Sequence, residues 1–131
     1  MKKEPLVNRN GFTLIEVMMA LFMMTIALLG LVSVTVAVIQ GTDFSKRMTT
    51  ATTLAKDKME EIKRLSFNAI ASGTDYRNAN GTEGTTGAYF TRVVTVSANT
   101  PSTDMKTVEV KVTWNWGKKQ HEVKLNTIIA K

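Results

Sequence analysis

The chain has 131 residues, enough for one small domain, and 44% of them are hydrophobic, so its composition is not that of a disordered protein. Its formal net charge is +6, but the basic residues are scattered among acidic ones and form no block, which argues against nucleic-acid binding. The sequence contains no cysteine, which excludes a disulfide framework, a thiolate nucleophile and a cysteine-based metal site.

A long apolar run follows a short polar leader. The leader carries the basic residues Lys2, Lys3 and Arg9, whereas residues 17–39 contain no charge. About 20 apolar residues suffice to span a bilayer as a helix, and the apolar core of an ordinary secretory signal is shorter, roughly 7–15 residues. The pattern therefore predicts a transmembrane helix, and the positive charges before it predict a cytoplasmic N-terminus.

Glu16 is the single charge within the first turns of this run. An acidic side chain costs roughly 2.5–3.5 kcal/mol at the bilayer centre, so it needs a partner. Cleavage between Gly11 and Phe12 would provide one, because the new α-amino group of Phe12 lies four residues from Glu16. Two interpretations stay open: the pair sets the register of stacked helices in an assembly, or Glu16 lies solvated at the headgroup boundary.

The six residues from Gly11 to Glu16 (GFTLIE), between a basic leader and an apolar run, resemble the N-terminal signal of type IV prepilins and of type II secretion pseudopilins. The resemblance implies that a prepilin peptidase and N-methyltransferase cuts after Gly11 and methylates the amine of Phe12. It also implies that Glu16 aligns subunits in a helical filament. The expected partners are then that peptidase, other pilins or pseudopilins, an inner-membrane assembly platform and inner-membrane lipid. No cofactor and no enzymatic activity are expected.

Within that family the chain looks most like PilV-type minor pilins. Many major pilins have a proline in the apolar half of the helix and a disulfide near the C-terminus, whereas this chain has prolines only at Pro5 and Pro101 and has no cysteine. These differences favour a minor pilin of a type IV pilus or, as the alternative, a type II secretion pseudopilin. A third hypothesis is a signal-anchored periplasmic binding module that uses residues 72–88 or the tryptophans.

The helix is expected to continue beyond the apolar run. From Phe44 to Leu65 apolar residues recur every three or four positions, which predicts an amphipathic helix with one apolar stripe. No proline interrupts the span, so we expect one continuous helix from near Phe12 to about Leu65.

The C-terminal part of the sequence predicts a small antiparallel sheet. Residues 72–88 are rich in Gly, Asn and Thr and are expected to form an irregular loop. Three strands should follow, in the segments YFTRVVTVSA, TVEVKVTWNW and HEVKLNTII, with a hairpin turn at residues 117–119. The predicted fold class is α+β, a pilin-like ladle in which the outer half of the helix packs on the sheet. Its expected parts are a cleaved leader (1–11), an apolar transmembrane helix (12–39), an amphipathic continuation (40–70) and a β-rich head (71–131).

The sequence predicts no catalytic or metal site. His121 is the only histidine and is expected to be a surface or strand-edge residue. Trp114 and Trp116 fall on one face of their strand, where packing is the expected role.

Overall fold

The computed structural model describes residues 11–131, so the leader residues Lys2, Lys3 and Arg9 lie outside the described part of the chain. Helix α1 spans Leu14–Arg64 and is followed by a short 3-10 turn at Phe67–Ala69. Four strands complete the fold: β1 (Gly73–Arg77), β2 (Phe90–Ala98), β3 (Met105–Trp116) and β4 (Lys119–Ala130). A long helix packed on an antiparallel sheet confirms the α+β prediction. The chain divides into two compact units after Gln40, which are described separately below.

Helix α1 begins and ends close to the predicted residues and runs through both Gly30 and Gly41. Its first turn contains the acidic Glu16, and its last turn contains Lys63 and Arg64. Both placements complement the helix dipole, which favours negative charge at the N-terminus and positive charge at the C-terminus.

The described part of the N-terminal unit is a helix with its apolar side chains uncovered. Every residue from Gly11 to Gln40 is exposed. The hydroxyls of Thr25, Ser33 and Thr35 donate hydrogen bonds to helix carbonyls three or four residues earlier, over 2.7–3.1 Å. These hydroxyls therefore need no external partner in an apolar environment. By length and composition α1 could cross a membrane.

The C-terminal unit, residues 41–131, has a core between the second half of α1 and one face of the sheet. The strands pair antiparallel in the order β1-β2-β3-β4, and buried residues alternate along β2 and β3 as a one-sided sheet requires. The helix contributes one stripe of buried side chains, which confirms the predicted amphipathic pattern. The buried hydrophobic residues are Ala51, Leu54, Ala55, Met59, Ile62, Ile70, Phe90, Val94, Val108, Val110, Val112 and Trp114.

The prediction of an irregular loop over residues 72–88 is wrong for its first part. Gly73–Arg77 forms an edge strand that pairs with β2, and the sheet therefore has four strands. The segment is polar and has no strand pattern of its own. It forms a strand because it pairs with β2, which is distant in the sequence. In the observed register Asp75 lies directly opposite Arg92.

Arg92 is a buried charge that joins three elements. It occupies an inward position on β2 and is only 3% exposed. Its guanidinium donates to both carboxylate oxygens of Asp75 over 2.7–3.1 Å, and its Nη1 donates to the carbonyl oxygen of Leu54 in α1 over 3.0 Å. A buried charge is tolerated only when it is paired and hydrogen-bonded. The contacts that satisfy Arg92 consequently hold β1, β2 and α1 together.

The same contacts determine how Asp75 titrates. Burial acts to raise the pKa of Asp75, but the hydrogen bond and charge of Arg92, together with the charge of Arg77, outweigh it and hold the pKa below the usual 3.8. A carboxyl whose pKa is lowered on folding stabilises the fold above its unfolded pKa. That stability is lost as the pH falls through the folded value.

We expect the two partners of this ion pair to respond unequally to substitution. Asp75→Ala should lower the free energy of unfolding by roughly 3 kcal/mol, because it leaves the Arg92 charge buried without a carboxylate. Arg92→Met should cost less, about 1 kcal/mol, because Asp75 is 34% exposed and can hydrate. Denaturation of the full chain in detergent micelles, followed by tryptophan fluorescence, measures both changes. Equal losses would contradict the asymmetry.

Stability should also fall as the pH drops from the pKa of an aspartate in the unfolded chain, about 3.9, through the lowered pKa of folded Asp75. Asp75→Asn should be less stable at neutral pH and should lack this part of the acid-induced loss. Glu122→Gln is the comparison variant, because the pKa of Glu122 is also lowered, by the hydrogen bond from Lys124, but both side chains are exposed and solvent screens the pair, so it should remove a smaller part of the acid-induced loss. Denaturation curves collected between neutral and acidic pH test the prediction. It fails if Asp75→Asn keeps the full acid dependence while Glu122→Gln loses it.

Candidate functional site

The predicted cleavage point lies in non-helical backbone. Gly11, Phe12 and Thr13 precede α1 and have no regular secondary structure, and Phe12 is 83% exposed. A Cβ atom placed on Gly11 would meet nothing within 4 Å, so no contact among the described residues requires glycine there. A protease that holds the backbone closely would require it. Because Gly11 and Phe12 are both exposed, the bond between them is accessible to such a protease.

Thr13 fixes where the helix begins. The backbone N–H of Glu16 donates to the Thr13 hydroxyl over 3.3 Å, and the N–H groups of Glu16 and Val17 donate to the Thr13 carbonyl over 3.1 and 3.2 Å. Thr13 is therefore the N-cap of α1. Gly11, Phe12 and Glu16 are predicted from the sequence as site residues, whereas Thr13 is not. The spacing from Thr13 to Glu16 is that of a capping box and could have revealed it.

Glu16 lies in the first exposed turn of α1, where the helix dipole favours a carboxylate. It shares a shallow groove with Phe12, so both face the same side of the helix start. Small and apolar side chains complete the groove: Val17, Ala20, Leu21 and Met24. A neighbouring helix in this groove would meet both the Glu16 carboxylate and the amine that cleavage creates. The pairing of these two groups stays a prediction.

A second cluster, formed by aromatic side chains, lies at one end of the sheet in the C-terminal unit. The Phe44 ring centroid is 5.1 Å from that of His121 and 6.4 Å from that of Trp116, and Trp114 stacks on His121 at 5.7 Å. His121 is on the edge strand β4, as expected, but it is half-buried among these rings. Trp114 is buried, in agreement with its predicted packing role, and its indole N–H has no hydrogen-bond partner among residues 11–131.

Arg47 packs against the edge of this aromatic cluster at Trp116. Its guanidinium carbon lies 4.3 Å from the centroid of Tyr89 and 4.8 Å from that of Trp116, within the range of cation–π attraction. Its Nε and Nη2 donate to one carboxylate oxygen of Asp43 over 3.3 and 3.0 Å. Trp116 is therefore covered in part by Arg47. The i,i+4 spacing of Asp43 and Arg47 signals their ion pair, whereas no local pattern signals the contact of Arg47 with Trp116.

The described residues offer no metal centre, because residues 11–131 contain no group of three or more His, Asp or Glu side chains that could hold an ion. Two acidic residues on the outer face of α1, Glu60 and Glu61, are engaged in ion pairs. Glu60 accepts a hydrogen bond from Lys63 over 2.9 Å, and this bond lowers the pKa of Glu60. Glu61 accepts one from Lys58 over 2.6 Å. These contacts are those of a solvated helix surface.

Comparison with known proteins gives one finding for the N-terminal region. Residues 6–38 match the family model described as the prokaryotic N-terminal methylation motif. The match includes Gly11, Phe12 and Glu16 and most of the apolar run. Searches of curated proteins and of solved structures gave no significant match. The chain thus carries a prokaryotic N-terminal methylation motif ahead of a long apolar helix, a combination that resembles type IV pilins and pseudopilins.

Proposed function

We propose that the chain is a structural minor pilin of a type IV pilus, processed by a prepilin peptidase and assembled through the apolar half of α1. The observation that carries the proposal is the uncovered apolar surface of this helix. All the large hydrophobic side chains from Leu14 to Ile39 are at least 45% exposed. The core of the C-terminal unit begins at Ala51 and is formed without them.

Two environments could cover such a surface. Lipid covers it while the subunit is anchored in the inner membrane, and the helices of neighbouring subunits cover it in a filament. Internal hydrogen bonding of Thr25, Ser33 and Thr35 suits both environments, because neither offers water. Lys2, Lys3 and Arg9 favour a cytoplasmic N-terminus, which leaves the C-terminal unit in the periplasm before assembly.

Glu16 makes assembly specific. An unpaired carboxylate is costly in an apolar environment. The Phe12 amine of an adjacent subunit neutralises it only when the two helices have one particular axial offset. Because breaking a buried pair costs about 3–5 kcal/mol, a subunit that enters with the wrong offset is strongly disfavoured. Glu16 and Phe12 thereby set the register of the filament.

The alternative is a pseudopilin of a type II secretion system, since the same signal and fold support it. The missing cysteine and the lack of proline in the apolar helix favour either of these over a major pilin. Deletion of the gene in its own organism separates the two functions. Loss of surface pili with normal protein secretion supports the minor pilin, and the opposite result supports the pseudopilin.

Processing gives the first test. Co-expression with a prepilin peptidase should remove residues 1–11 and leave an N-methylated Phe12, which mass spectrometry of the mature N-terminus detects. Gly11→Val should reduce cleavage by at least about tenfold, because its side chain prevents close approach of the protease to the backbone. Gly30→Ala is the matched control, since Gly30 is also exposed with open space around its Cα. A mature chain that still begins at Met1 would support a signal-anchored binding module instead.

Assembly gives the second test. Glu16→Ala should be cleaved normally but recovered in sheared filaments at a level at least about tenfold lower, because the Phe12 amine loses its partner. Thr25→Val is the control, because the Thr25 hydroxyl bonds only to its own helix in the described contacts. Immunoblots of membrane and filament fractions measure the partition. Normal recovery of Glu16→Ala would refute the register role.

A further inference from the structure

The end of the sheet that holds the aromatic cluster also carries a concentration of positive charge. We define the basic-aromatic surface as Lys46, Arg47, Tyr89, Trp116, Lys118 and Lys119. Lys46, Lys118 and Lys119 are exposed, and the other three are partly exposed. None of these residues belongs to the processing and assembly region at the start of α1.

Contacts and strand pairing bring four of these residues together. The Arg47 guanidinium lies against the rings of both Tyr89 and Trp116. Trp116 pairs with Lys119 across the β3–β4 hairpin, in which Gly117 has a φ of 60°, a left-handed conformation that suits glycine. Lys118 is in the same turn, and Lys46 precedes Arg47 in the helix.

The surface has a clear positive excess. It contains four cations, Lys46, Arg47, Lys118 and Lys119, and one neighbouring acid, Asp43, which is paired with Arg47. Four positive charges less one negative charge leave a net +3. The next acid along β4, Glu122, is already paired with Lys124 over 2.9 Å and so does not neutralise the hairpin lysines.

The chain position of this surface relates it to the membrane. Phe44 and Arg47 follow Ile39, the last residue of the apolar run, by five and eight residues of the same helix. At 1.5 Å per residue this is about 8–12 Å of helix. The polar headgroup layer occupies roughly 5–8 Å on each side of the hydrocarbon core. The surface is thus tethered to the end of the apolar run by only five to eight residues, which keeps it close to any bilayer that holds that run.

We propose that, before assembly, the basic-aromatic surface docks on the headgroups of anionic phospholipids in the membrane that anchors the apolar run. Lysine and arginine near an anionic bilayer surface are attracted to it, and Trp and Tyr are enriched at membrane interfaces because their rings are apolar with a polar edge. Arg47, held between two aromatic rings, offers both features in one cluster. The proposal rests on the membrane anchoring in the proposed function.

The test uses the full chain in nanodiscs of phosphatidylcholine alone or of phosphatidylcholine mixed with phosphatidylglycerol. Hydrogen exchange of the β3–β4 hairpin amides should be about fivefold slower with the anionic lipid, and high salt should remove the difference. Lys118→Glu with Lys119→Glu should abolish it. Lys56→Glu with Lys131→Glu is the matched control, because both lysines are exposed, lie outside the basic-aromatic surface and carry the same charge change.

Protection that depends on anionic lipid and is lost only in the hairpin variant supports the proposal. Equal exchange in both lipids overturns it, and so does equal loss of protection in both variants, which would indicate a general charge effect. Protection that needs added pilins instead of anionic lipid also overturns it, in favour of a protein partner. Incorporation into nanodiscs of phosphatidylcholine alone reports separately on membrane anchoring. Failure of that step would refute the anchoring, whereas failure of the lipid dependence would refute only the docking.

Discussion

An apolar surface that its own chain leaves uncovered is the constraint on which the rest of this protein depends. Burial of apolar surface is the dominant favourable term in folding and association, and the described helix residues before Gly41 bury none of theirs. The C-terminal unit must therefore obtain its stability from a separate core, which it builds from one stripe of α1 and one face of the sheet. In the proposed function, the apolar half exchanges a covering of lipid for one of protein without unfolding the rest.

The two halves of α1 differ in how much of the helix circumference is apolar. The first half is apolar all round, as expected of a helix that is covered on every side. The second half is apolar on one stripe, and its small residues Ala51 and Ala55 are fully buried against the sheet. Arg92 then adds a polar contact between the sheet and the carbonyl of Leu54. Its geometry is demanding, since the guanidinium must satisfy a carboxylate and a carbonyl at once. Such a contact favours one packing of helix against sheet over alternatives.

Much of this architecture could be predicted from the sequence because it follows from the periodic spacing of apolar residues. The helix from near Phe12 to Leu65 and the alternation along β3 follow from spacing alone, and the match over residues 6–38 agrees with the signal recognised at Gly11–Glu16. What was missed depends on contacts distant in sequence. Strand β1 pairs with β2, where Asp75 meets Arg92 17 residues away, and Arg47 meets Tyr89 and Trp116 from other elements. Thr13 is different, since its capping spacing is local and could have been recognised.

In the proposed filament, the Arg92 contact would have a mechanical consequence. A pull along α1 loads the helix in shear against the sheet, and apolar contacts resist such sliding weakly because they are not directional. The hydrogen bond from Arg92 to the Leu54 carbonyl is directional, and its other donors are held by Asp75 on the adjacent strand. If the helix slid along the sheet, this bond would break and the buried guanidinium of Arg92 would lose its acceptor on the helix. The hydrogen bonds of Arg92 would thus transmit a pulling force from the helix to the sheet.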